Sequence, residues 1–225
     1  YYDIISMSYL FLSCTEKIQV RWMLTLFLSM LSFSLSMSIS PGPANLTILN
    51  SAMNYGLGRT VAFISGATWG FTALLAAVCF GLYQILVIFP ILLDVIAILG
   101  TLLLFWMGWK IASAQGAKIQ MGEQQDEKNI PTFMQGVLLQ WLNPKAWIAA
   151  VAGTALFSAS QNSQHLIWFI LIYFVVCYAS LFFWGIMGEK LTRFLNTDQR
   201  AKIFNVLMGI ILMFIAVHMC WQHFD

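Results

Sequence analysis

Six runs of predominantly apolar residues, at about 23–54, 61–90, 91–114, 132–157, 165–188 and 203–221, take up most of this chain. A hydrocarbon core needs about 20 apolar residues per helical span, and each run is close to that length or longer. In lipid every backbone donor and acceptor must find its partner inside the segment, so continuous runs of this kind are read as helices. Composition agrees, with 60% hydrophobic and 9% charged residues, against roughly 45–50% and about 25% in a soluble domain. The expected fold class is an all-α integral membrane protein with six transmembrane segments in a lipid bilayer.

The placement of Lys and Arg orients the spans, because cytoplasmic connections carry an excess of both. Arg59 follows the first run; Lys110, Lys118 and Lys128 surround the third connection; Lys190, Arg193, Arg200 and Lys202 surround the fifth. Eight of the eleven basic residues thus fall on alternate connections, which predicts that these connections are cytoplasmic and both termini outside. Lys17 and Arg21 break the rule, and both precede Met23 in a chain that opens on Tyr1. Residues 1–22 are therefore expected to be an upstream extension, with Met23 the start; N-terminal sequencing that began upstream of Met23 would count against this. A signal peptide fits less well, since the apolar run continues into Ser40-Pro41-Gly42-Pro43 without a cleavage pattern of small residues.

The net charge is +2 and the basic residues are scattered, which sets nucleic acid aside as a partner. Cys14, Cys79, Cys177 and Cys220 have neither C-x-x-C nor secreted-framework spacing. His165, His218 and His223 do not converge as zinc ligands would, and no cofactor or metal is expected. No Ser/His/Asp or paired-carboxylate arrangement appears within the runs, so the chain is not read as an enzyme.

The long polar stretch 115–131 reads as a cytoplasmic loop between two halves of one transporter domain, 23–225: repeat one about 23–114 and repeat two about 132–225. Each half holds three spans, and an odd number forces the second half to enter the membrane in the opposite direction. The result is two inverted three-helix repeats. The first helix of each is broken by Pro: Pro41-Gly42-Pro43 in one, Asn143-Pro144-Lys145 in the other.

These breaks carry the chemistry. Proline removes a backbone donor and disturbs the preceding turn, and the groups it frees must be met by protein or by water lining a cavity. Pro43 suits the first position of a new helix; Asn143 suits an N-cap with Pro144 next. Two helix N-termini would then face the middle of the membrane, with free amides at Gly42, Ala44 and Asn45 and a partial positive charge suited to a carboxylate. A helix merely kinked for packing is the competing reading. Lys145 is costly at mid-membrane, roughly 2.5–3.5 kcal/mol on insertion scales, which marks a functional pairing; the alternative is a lysine snorkelling to an interface. Thr47, Asn50, Ser51 and Asn54 recur at i, i+3, i+4 and i+7 and are expected to face the cavity, or else to hydrogen-bond neighbouring helices. Gly66 and Gly70 form a G-x-x-x-G packing pattern. Asp94 is a proton site or an interfacial residue.

With the breaks placed, the chain resembles the LysE/RhtB family of bacterial amino-acid exporters from Met23 to Trp221. The resemblance is carried by Ser40-Pro41-Gly42-Pro43-Ala44-Asn45, Gly56-Leu57-Gly58-Arg59, Gly66 and Gly70, Gly100 with Trp106-Met107-Gly108-Trp109-Lys110, and Phe133 and Gly136 with Asn143-Pro144-Lys145. The order and spacing of these residues are specific, and look most like members that export neutral amino acids such as cysteine, homoserine or threonine derivatives. One departure is Leu103, where many relatives carry Tyr. The resemblance implies an amino-acid substrate, multi-pass location in a bacterial inner membrane, export to the periplasm and protons as coupling ion, and leaves a homo-oligomer open. Two rivals stand beside it. A membrane thiol–disulfide carrier shares the architecture but needs a Cys beside each break, and none adjoins either; a non-transporting assembly subunit would bind no amino acid.

Overall fold

The computed structural model describes residues 2–82, 88, 91–113, 130–157, 163–192 and 198–224. Most of the expected 115–131 loop lies outside them, as do residues 193–197 of the fifth connection. The described residues are helical, with no strand among them. Helix α1 (Tyr2–Ile39) runs without interruption through Met23 and stops before Pro41. Helix α2 (Pro43–Tyr55) begins on Pro43, and Gly56 alone separates it from α3 (Leu57–Ala77). Gly56 adopts φ 82°, a left-handed value that glycine reaches without strain, which starts the second span four residues earlier than the apolar run suggests. The π-helical turn Val78–Leu82 extends α3. Then come α4 (Ile91–Ala112), α5 (Phe133–Trp141), α6 (Pro144–Phe157), α7 (Ser163–Thr192) and α8 (Asp198–Phe224).

Packing follows small residues. Helix α4 lies along α8, α3 along α5 and α7, and α7 also along α1 and α2. A Cβ on Gly70 would stand 2.7 Å from Val137 Cα, one on Gly136 2.7 Å from the Ala67 amide, and one on Gly108 2.8 Å from Gly209 O. These positions need glycine for space, since backbones this close leave no room for a side chain. Gly100 plays the same part where α4 passes Leu142 O, beside the α5–α6 break.

Three helical stretches, Gln19–Ile39, Leu57–Leu82 and Gln164–Leu191, are long and apolar enough to cross a membrane; Ile98–Ala112, Pro144–Phe157 and Lys202–His218 are shorter apolar helices. Their outer faces expose Trp69, Leu102, Trp109, Ile148, Val175 and Phe214, a surface suited to lipid. The interior is apolar around Phe63, Ile64, Leu74 and Phe169, but also encloses Asn45, Thr47, Asn50, Gln140, Asn143 and Asn205. Buried polar groups on that scale are expensive unless partnered.

Candidate functional site

The first break is satisfied carbonyl by carbonyl. Pro41 and Pro43 have no amide to offer Met37 O and Ile39 O. Those carbonyls accept instead from Ser40 Oγ at 3.1 Å and from Trp184 Nε1, on α7, at 3.1 Å. Ser38 O accepts from Asn45 Nδ2 at 2.9 Å. Lys145 Nζ donates to Ser40 O at 2.6 Å and reaches Pro41 O at 3.4 Å. One ammonium from the second break thus closes the end of α1, where helix carbonyls concentrate negative potential. The carbonyls of the unwound backbone are met by protein donors, as a break at membrane depth requires, while the amides that open α2 are left to other partners.

The second break repeats the scheme. Asn143 caps α6, its Oδ1 accepting from the Lys145 amide at 3.1 Å, as expected for Asn before a first-position proline. Trp147 Nε1 donates to Trp141 O at 2.7 Å, so an indole meets a freed carbonyl at both breaks. Gly42 is extended, φ −165°, and begins α2 by accepting from the Leu46 amide at 3.0 Å. Any residue tolerates that backbone; the demand here is for space. A Cβ on Gly42 would stand 2.9 Å from Lys145 Cδ and 3.0 Å from its Nζ.

Between the breaks lies a small, partly open cavity with Ala44, Asn45, Gln140, Asn143 and half-buried Lys145 on its wall. Ser38, Tyr173 and Cys177 complete its polar lining, backed by Phe71, whose ring centroid lies 4.5 Å from that of Tyr173. Ser38 Oγ is enclosed beside Tyr173 and Cys177 without a hydrogen bond of acceptable geometry. Two helix N-termini and one ammonium converge, and among the described residues no carboxylate lines the wall. The ammonium and the two helix starts are groups that suit an anion, set against the carbonyl end of α1 that the ammonium also meets.

The stripe on α2 lies elsewhere. Thr47, Asn50 and Asn54, with Ser51, line a second small, partly open cavity that also meets Trp106 and Lys110. Asn45 and Thr47 are two residues apart on a 3.6-residue helix, so they point to opposite faces of α2. The stripe also hydrogen-bonds its neighbours: Asn50 Nδ2 donates to Asn205 Oδ1 at 2.8 Å and Ser51 Oγ pairs with Thr60 Oγ1 at 2.9 Å. Leu103 packs against the apolar core and lines neither cavity. Sequence reasoning missed Gln140, Tyr173, Cys177, Trp184 and Asn205. Only the polar residues among them, isolated in apolar runs, offered any signal.

Residues 35–223 match the LysE type translocator family. The chain belongs to that family. It is therefore a multi-pass membrane translocator and not an enzyme, which sets the electron-carrier alternative aside. It is similar to the cysteine/O-acetylserine efflux protein of Salmonella paratyphi A, 24% identical over 193 residues that cover 83% of this chain and 93% of the relative. The cysteine/O-acetylserine efflux protein of Escherichia coli K12 is 24% identical over 197 residues, covering 86% and 96%. No solved structure matches the chain.

Proposed function

We propose that this LysE type translocator exports small amino acids or amino-acid derivatives from cytoplasm to periplasm across a bacterial inner membrane. The substrate carboxylate is held between Lys145 and the starts of α2 and α6, at the Gly42, Ala44 and Asn45 end of one and the Asn143-Pro144 end of the other. The observation that carries this reading is the convergence of one ammonium and two helix N-termini on a single cavity that no carboxylate lines among the described residues. A carboxylate leaving water must regain charge-assisted hydrogen bonds, and this cavity offers them. Cysteine and O-acetylserine, which name the relatives' substrates, are the first compounds to try.

The six-span arrangement as two inverted repeats is supported by the matched breaks and by the pairing of the third span with the sixth, α4 along α8. Domain limits of 23–225 with a cytoplasmic 115–131 loop go with it. With both termini outside, α2 descends from the central cavity toward the cytoplasm, and Thr47, Asn50 and Asn54 line the way in. Protons are the proposed coupling ion, with Lys145 as the basic group in the cavity able to carry one.

Two experiments bear on this. Cells overproducing the protein should release labelled cysteine or O-acetylserine faster than controls when a panel of amino acids is compared; no acceleration for any amino acid would overturn the exporter reading. Alkaline phosphatase fused after Asp225 should be active, and a stable but inactive fusion would reverse the topology.

A further inference from the structure

Threonines in these helices turn their hydroxyls back onto the backbone four residues before: Thr60 to Gly56 O at 2.9 Å, Thr68 to Ile64 O at 3.0 Å, Thr72 to Thr68 O at 2.8 Å and Thr154 to Ala150 O at 2.7 Å. Thr47 does not. It is 3% exposed, and its Oγ1 is enclosed with no hydrogen-bond partner, on the wall of the second cavity. A buried hydroxyl left unmatched is unfavourable, so this one is available to a partner that enters from the cavity.

The rest of that cavity supplies complementary groups. Lys110 Nζ stands 5.4 Å from the centroid of the Trp106 ring, and among the described residues no carboxylate lines the wall. Asn54 Oδ1 meets Asn205 Nδ2 only at 3.5 Å, leaving it able to accept from a stronger donor. Asn205, fully buried on α8, fixes this wall through Asn50.

We infer that the second cavity is a binding site in its own right, in which Lys110 and Thr47 take the α-carboxylate of an amino acid and Asn54 Oδ1 takes its ammonium before the substrate passes to Lys145. The inference rests on the exporter reading above and adds a second, separately titrated station to it. The two sites lie on opposite faces of α2, so one substrate cannot occupy both at once.

The test uses the full chain in detergent, with labelled O-acetyl-L-serine and, under reductant, L-cysteine as probes. Equilibrium dialysis should find two equivalents per chain in the wild type, and one in Lys110→Met. In everted vesicles Lys110→Met should raise KM about tenfold or more, the size of one charged hydrogen bond, with kcat largely kept and Lys110→Arg restoring KM. Thr47→Val should raise KM about threefold to tenfold, the size of one neutral hydrogen bond, without lowering thermal stability, because the hydroxyl has no protein partner to lose. A single equivalent in the wild type, with KM unmoved in both variants, would overturn the second site while leaving the exporter reading intact. Failure of both probes to bind or move would overturn that reading and this inference with it.

Discussion

Gly42→Leu is expected to abolish efflux while leaving insertion into the membrane largely intact. The backbone at Gly42 is extended, at φ −165°, so leucine meets no conformational strain there. What it meets is Lys145: even the first carbon of the side chain would lie 2.9 Å from Cδ and 3.0 Å from Nζ, and leucine adds three more carbons in the space the lysine occupies. The ammonium must then leave Ser40 O, and the approach of a substrate to the start of α2 is blocked. Gly42→Ala should retain part of the activity, because the end of a lysine side chain can give way by a few tenths of an ångström. Efflux measured against the amount of protein in the membrane fraction checks both; near-normal efflux from the leucine variant would leave only a helix kinked for packing.

Lys145→Met keeps the length of the side chain and removes the charge. A charged hydrogen bond contributes about 1.5–3 kcal/mol, so substrate affinity should fall about 10- to 150-fold, while Lys145→Arg retains part of it. The ammonium also closes the end of α1, by its 2.6 Å bond to Ser40 O, and the methionine variant leaves that carbonyl to water or to nothing. A lower melting temperature is therefore expected as well. The two roles separate cleanly: a lysine that only capped the helix would lower stability and leave the affinity of the surviving folded protein unchanged.

Much of this was legible in local backbone chemistry. Pro41 and Pro43 lack amides, and Asn143 before Pro144 is a helix start whatever surrounds it, so both breaks and the N-cap could be placed without a tertiary structure. Lys145 stood out because an ammonium inside an apolar run is costly. Gly66 and Gly70 declared a packing face by their spacing, and the structure sets Gly70 against Val137 on α5. What could not be read was the identity of partners distant in the chain. Periodicity places Thr47, Asn50 and Asn54 on one face but says nothing of Asn205, which lies 155 residues beyond Asn50 and meets it only through the packing of α8. Trp147 and Trp184 gave no sign of capping carbonyls, since tryptophan in a membrane chain is expected in interfacial belts. Assigning Asn45 and Thr47 to one cavity overlooked the helix itself, which turns them about 200° apart.

The central claim, that the substrate is held by its carboxylate on Lys145, is tested most directly by pairing the variant with a ligand that lacks the group. L-cysteine and cysteamine differ by that carboxylate alone. Dialysis binding to Lys110→Met, which keeps only the central site, should favour cysteine about 10- to 150-fold, and the preference should shrink toward parity when Lys145→Met is added because the partner of the carboxylate is gone. An undiminished preference in a correctly inserted protein carrying both Lys110→Met and Lys145→Met would show that the carboxylate is held elsewhere and would contradict the site.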